Sequence, residues 1–189
     1  MYEKNPVAGY LEKAAAETAG LEWETAARIV DILAEAILGG SRILVCGNGG
    51  SAADSSHFAG ELAGRFRMER RGFPVVSLSS DSAVITAIAN DYGFEKVFER
   101  QVEALGSPGD VLIALSTSGT SSNIVRAAEK ASEKGMTVIG FTSSLCTEAL
   151  WADVHWRAVS AETSHAQEQM IITLHGICHG LEVLLADKT

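Results

Sequence analysis

The chain has 189 residues, of which 47% are hydrophobic and 21% charged, and its formal net charge is −9. That balance belongs to one ordinary globular domain with enough chain to bury a core, and excludes a disordered segment. The negative charge excludes nucleic acid and anionic membrane surfaces as main partners, and no apolar run reaches the roughly 18–20 residues of a membrane helix.

Cys46, Cys146 and Cys178 are scattered and odd in number. They form no disulfide framework and point to a reducing compartment. From Met1 to Pro6 there is no basic stretch leading into an apolar core, so no signal peptide is read there and the expected address is the cytoplasm.

Residues 7–38 are alanine-rich with apolar residues near helical spacing, and are expected to be helical. Gly20 divides them and Gly39-Gly40 ends them. A first strand is expected at 42–46, then a helix capped by Ser51 with Asp54 in its first turn, running to about residue 68. A second strand is expected at 73–78, a helix from Ser82 to about Ala89, a turn at 90–93 and a helix at 94–105. A third strand at 110–115, a helix at 123–134, strands at 136–141 and 153–159, and a last helix at 164–186 complete the chain. Strands of near-continuous apolar and β-branched residues alternating with longer helices predict a parallel, doubly wound α/β sheet covered on both faces. The expected division is a single domain over 1–189, with a helical segment at 1–40 and an α/β core at 41–189.

Ligands of open parallel sheets bind beyond the carboxyl ends of the strands. Two loops of small residues fall there. Gly47-Asn48-Gly49-Gly50-Ser51 lets backbone N–H groups approach a ligand at a helix N-terminus, which is an anion site. The residues also fit a loose dinucleotide fingerprint, but the acidic residue expected about 20 positions on is missing. The nearest candidate, Asp81, stands 34 residues after Gly47. Ser116-Thr117-Ser118-Gly119-Thr120-Ser121 offers hydroxyls and amides at a second strand-to-helix junction, where plain N-capping would need only one of them.

His57 and Glu61 are four apart and share one face of their helix. On the last helix, bare spacing makes His175 and His179 the better-looking metal pair. His155 and His165 have no partner in sequence.

The ordered set of Cys46-Gly47-Asn48-Gly49-Gly50-Ser51, His57 with Glu61, Ala87 to Phe94, Arg100-Gln101-Val102, Gly109-Asp110-Val111, Ser116-Thr117-Ser118-Gly119, and Gln167-Glu168 with His175 resembles the sugar isomerase (SIS) family in its heptose-phosphate branch. The match runs in order from about residue 40 to the last helix. The resemblance implies a five-stranded parallel α/β sandwich and a homotetramer with active sites at subunit interfaces. It implies an aldose–ketose isomerase that interconverts sedoheptulose 7-phosphate and D-glycero-D-manno-heptose 7-phosphate, the first step of ADP/GDP-heptose biosynthesis, with lipopolysaccharide among the destinations. It also implies one zinc ion per subunit at His57, Glu61, Gln167 and His175, which selects His175 over His179. Substrate contacts are implied at Asn48, Gly49, Gly50, Glu61, Asn90, Asp91, Ser116, Thr117, Ser118, Ser121 and Gln167. An enediol route needs a base and an acid, and Glu61 and His175 are the expected pair. The 1–40 segment carries more apolar surface than one small sheet needs to cover, which fits its use in oligomerisation.

The chain departs from the family at His165 and Ala166, where an arginine and a bulky apolar residue are usual, and at Met170, where a histidine is common. Two other classes differ from this chain at named features. A replication-initiator-associating relative lacks the glutamate equivalent to Glu61 and carries arginine in place of Ser118, whereas this chain has both Glu61 and Ser118. A sugar-phosphate-sensing domain of transcription regulators would follow a DNA-binding segment, and none is read before residue 40.

Overall fold

The structure is a computed structural model that describes residues 5–186. Residues 1–4 lie outside it, and with them most of the stretch read for a leader. Five strands form one parallel sheet: β1 (Ile43–Gly47), β2 (Val75–Ser77), β3 (Val111–Leu115), β4 (Thr137–Thr142) and β5 (Val154–Arg157). Their order is β2-β1-β3-β4-β5. The central strands β1, β3 and β4 are buried from two sides, which is why their sequences are apolar almost throughout, whereas the edge strands β2 and β5 are partly exposed and carry Ser77, His155 and Arg157. Ile43 and Val45 of β1, with Val111, Ile113 and Leu115 of β3, face one helical layer. Leu44, Cys46, Leu112 and Ala114 face the other.

The first layer holds α2 (Glu24–Leu38), α3 (Gly50–Ala63) and α7 (Thr163–Leu185). Ile29, Leu33, Ala34 and Ile37 make a stripe of α2 at helical spacing and are buried against the sheet. The second layer holds α5 (Glu99–Leu105) and α6 (Ser122–Glu133), where Ile124, Ala127, Ala128 and Ala131 form the inner stripe. α4 (Ser82–Tyr92) is capped by Asp81, whose carboxylate accepts from Ala83 N and Val84 N. α1 (Pro6–Thr18) buries none of its side chains. Polar contacts tie it to α7: Tyr10 OH donates to Glu168 (2.6 Å), and Glu17 lies 3.1 Å from His165 Nδ1.

Several expected boundaries move. α3 stops at Ala63, not near 68, because the next amides turn away from the helix. The N–H groups of Phe66, Arg67 and Met68 all donate to the Glu182 carboxylate at 2.9–3.0 Å. Gly49, at φ +56°, is the N-cap of α3, in place of Ser51, which is buried within the first turn. Residues 90–92 continue α4 instead of forming a turn, and 94–105 divides into a 3-10 turn and α5.

Candidate active site

The order β2-β1-β3 makes β1 and β3 neighbours, although β2 intervenes in sequence. The winding direction reverses between them, and open α/β sheets bind ligands at that reversal. The two loops of small residues meet there. Asn48 and Asn123 exchange side-chain amide hydrogen bonds, each 2.9 Å, and so pin the glycine loop to the start of α6.

The 116–121 loop turns tightly and gathers its hydroxyls. Gly119 takes φ +70° and its N–H donates to Ser116 O (3.0 Å). Its carbonyl accepts from the Trp151 indole N–H (3.0 Å), and Cys146 closes over its Cα where a side chain would otherwise stand. Ser121 is the N-cap of α6, yet its hydroxyl makes no cap bond. The hydroxyls of Ser116, Ser118 and Ser121 instead gather within 3.3–3.5 Å of Ser116 Oγ at a helix N-terminus.

Gly50 opens α3 and meets α7 directly. A Cβ at Gly50 would lie 2.6 Å from both Oε1 and Nε2 of Gln167, so only glycine lets this amide reach the glycine loop.

Further along the same two helices stands a titratable cluster. His57 Nε2 and His175 Nε2 are 2.9 Å apart, and His57 Nε2 lies 3.4 Å from Glu61 Oε1. The ligand atoms of His57, Glu61 and His175 all lie within 4.8 Å of one another. Two ligands on a tetrahedral zinc, with bonds near 2.0–2.1 Å, stand about 3.3 Å apart, so the donor set and its spacing fit that ion. Burial, then the neighbouring His57, pushes the His175 pKa below its ordinary value, against the pull of Glu61. Neutral imidazole is the ligating form. Phe66 stacks on the His175 ring, 5.4 Å between centroids at 23°.

The other expected residues fall in different places. His179 is exposed on an apolar groove between α2 and α7, away from His57, so helix packing separates it from His175 where spacing could not. Gln167 is eight residues before His175, about 12 Å along α7. Asn90 and Asp91 are exposed in the last turn of α4, and among the described residues their side chains bond only to each other (2.8 Å). The departures His165, Ala166 and Met170 are all buried in the layer under α1 and the sheet, not at the loops.

Sequence reasoning gave no role at the cluster to three groups, and Asp54, expected in the first turn of its helix, stands beyond that turn. Asp54 sits between Gly50 and His57 on one face of α3; its Oδ2 is buried without a partner and burial raises its pKa. Glu182 and Arg70 join behind the cluster, and neither position carries a local pattern. Glu182 does stand seven residues after His175, two helical turns on, which is the one signal that it shares a face with it.

The chain belongs to the SIS domain family, which it matches over residues 8–143. It is 45% identical to a phosphoheptose isomerase from Bordetella avium over 88% of this chain and 86% of that protein. The structure superposes on a phosphoheptose isomerase from Neisseria gonorrhoeae with TM-score 0.87 at 34% identity, covering 97% of this chain and 100% of that one. One from Francisella tularensis gives TM-score 0.88 at 34% identity, covering 94% and 97%. Within the SIS domain family, both its sequence and its fold are similar to those of phosphoheptose isomerases.

Proposed function

We propose that this chain interconverts sedoheptulose 7-phosphate and D-glycero-D-manno-heptose 7-phosphate through an enediol. The observation that carries this reading is the separation of two chemically different ends along α3. The hydroxyl loop that cradles an anion is joined to the glycine loop by the Asn48–Asn123 pair at the Gly50 end of α3, and the His57–Glu61–His175 cluster begins seven residues after Gly50, about 10 Å along the axis. An extended chain spans at most about 3.6 Å per three bonds. The eight bonds from C1 of a heptose to the phosphorus on C7 therefore reach about 10 Å. A sugar phosphate with its phosphate in the cradle presents C1 and C2 to the cluster.

The residues then divide the work. Ser116, Ser118 and Ser121, with the amides of Thr117 and Ser118, hold the phosphate. Asn48, Gly49 and Gly50 line the sugar. Glu61 takes the proton from C2 of the aldose and returns it to C1 of the ketose. His175, held toward neutral imidazole by burial, passes the second proton between O1 and O2. One zinc ion per subunit would be held by His57, Glu61 and His175, with Gln167 as the ligand completed at a subunit interface, and would supply Lewis acidity at the carbonyl. A carboxylate has two oxygens, so one can face the cluster while the other moves the proton.

Within one chain, Gln167, Asn90 and Asp91 stand apart from the cluster. Their distance supports sites completed at subunit interfaces of a homotetramer. The assembly uses the 1–40 segment, where α1 buries no side chain and Val7, Leu11 and Trp23 are exposed. The domain is single over 1–189, its α/β core being 41–189. Among the described residues no helix is long and apolar enough to cross a membrane, and we place the enzyme in the cytoplasm.

The test is incubation with sedoheptulose 7-phosphate in deuterated water, followed by NMR and mass. The aldose should form with deuterium at C2. No conversion of this substrate overturns the reading. Conversion with complete retention of hydrogen removes Glu61 from the role of base and points to a hydride shift.

A further inference from the structure

Glu182 is 1% exposed at the far end of α7, and a lone buried carboxylate is costly. Here it is fully engaged. It accepts from three successive backbone amides, Phe66, Arg67 and Met68, and from Arg70 Nε at 3.1 Å. Three amides converging on one oxygen pair form an anion nest made by the chain for its own side chain. Arg70 then spends its remaining donors on the end of α3. Its Nη2 donates to Glu61 O (2.8 Å), and its Nη1 donates to Leu62 O, Gly64 O and Arg71 O at 2.9–3.1 Å. The guanidinium lies 3.9 Å over the Phe73 ring.

This clasp touches the cluster from two sides. The carbonyl that Arg70 Nη2 holds belongs to Glu61 itself. The first amide that Glu182 holds belongs to Phe66, whose ring stacks on His175. One ion pair thus joins α7, which carries His175, to the last turn of α3, which carries Glu61. Without it the Glu61 carbonyl would lose the Arg70 Nη2 donor, Leu62 O would keep only the Phe73 N–H (2.9 Å), and the residues after α3 would be free to swing Phe66 off the imidazole.

We propose that Glu182 and Arg70 are positioning residues for the His57–Glu61–His175 cluster, acting through the Glu61 carbonyl and through Phe66. The inference rests on the metal reading above. Groups that orient metal ligands without touching the ion are worth about 10–100-fold in affinity.

Cobalt(II) titration of the apo full-length protein, read by its visible absorption and by competition with a chelator, separates the two readings. Wild-type protein that takes up no cobalt overturns the metal site. With wild-type binding in hand, Arg70→Lys keeps the charge but loses the fork of donors. It should bind cobalt about 10–100-fold more weakly, with an altered absorption band. Its kcat should fall while KM for the sugar phosphate stays, because the cradle is at the other end of α3. Phe66→Leu leaves the Glu182–Arg70 pair intact and carries the test even if the Arg70 variant is too unstable to isolate. It should also weaken cobalt binding and shift the band. Wild-type cobalt affinity and spectrum in Phe66→Leu, or in a folded Arg70→Lys, overturn the inference and leave the clasp as a stabilising feature only.

Discussion

At the scale of single residues, Glu61 and Ser118 are proposed to serve opposite ends of one reaction, and their substitutions should separate in the kinetics. Glu61→Gln keeps the shape and an oxygen toward His57 but removes the base. Substrate should bind nearly as before while kcat falls by at least about a hundredfold, the scale of general-base loss. An unchanged kcat would move the base elsewhere, and Asp54, with its unpartnered buried oxygen, is the next group on that face. Ser118→Ala removes a hydroxyl from the phosphate end. It should raise KM by roughly 1–2 kcal/mol, the worth of a hydrogen bond to a charged group. A fall in kcat at constant KM would instead place Ser118 at the reacting carbons.

At the scale of elements, the edge of the sheet carries a pH dependence of its own. His155 on β5 faces Thr142 on β4, with Nε2 and Oγ1 2.7 Å apart. Burial first, then the Arg157 charge, lowers its pKa from the ordinary 6.5. The unfolded chain therefore takes up this proton at a higher pH than the folded chain does. The contribution of His155 to stability is whole above pH 6.5 and is lost as the pH falls from there through the folded value. Urea unfolding at pH 7.5 and 5.0 should show a loss of stability toward acid that is smaller in His155→Gln than in wild type. An equal loss in both would show that other groups carry the acid limb. Glu182 belongs to the same ledger at lower pH. Its carboxyl is held below the ordinary value because its backbone and Arg70 bonds outweigh the burial that opposes them. That stability is present above the unfolded carboxylate value and lost as the pH falls through the folded one.

At the scale of the whole molecule, one chain leaves apolar surface that its own sheet does not cover. Trp23 is 71% exposed beside the groove that α2 and α7 form with Val30, Gly180, Val183 and Leu184. A second copy of this chain is the proposed cover. Light scattering at micromolar concentration should give about four times the 20.0 kDa of one chain. Val183→Glu, which puts a charge on that groove away from the cluster, should lower the mass and the activity together. A 20.0 kDa particle with full activity in the wild type would refute both the tetramer and the shared sites.

Much of this was readable in the sequence because its causes are local. Hydrophobic period separates strands from helices, and glycines and hydroxyl residues mark the turns, so both small-residue loops and all five strands were placed by the residues in them. The same locality sets the limits. His175 and His179 are equivalent by spacing on their own helix; only the packing of α3 on α7 turns one toward His57 and leaves the other on the α2 groove. The end of α3 was read five residues long although Gly64, a local stop signal, caps it; what draws the following amides away, Glu182, is more than a hundred residues distant. The sequence alone determined the elements and the chemistry at their ends, since those follow from neighbours along the chain. The tertiary structure decided which ends meet, by the β2-β1-β3 order, and which side chains form the cluster. Burial across the sheet sets those pairings, and no local pattern encodes them.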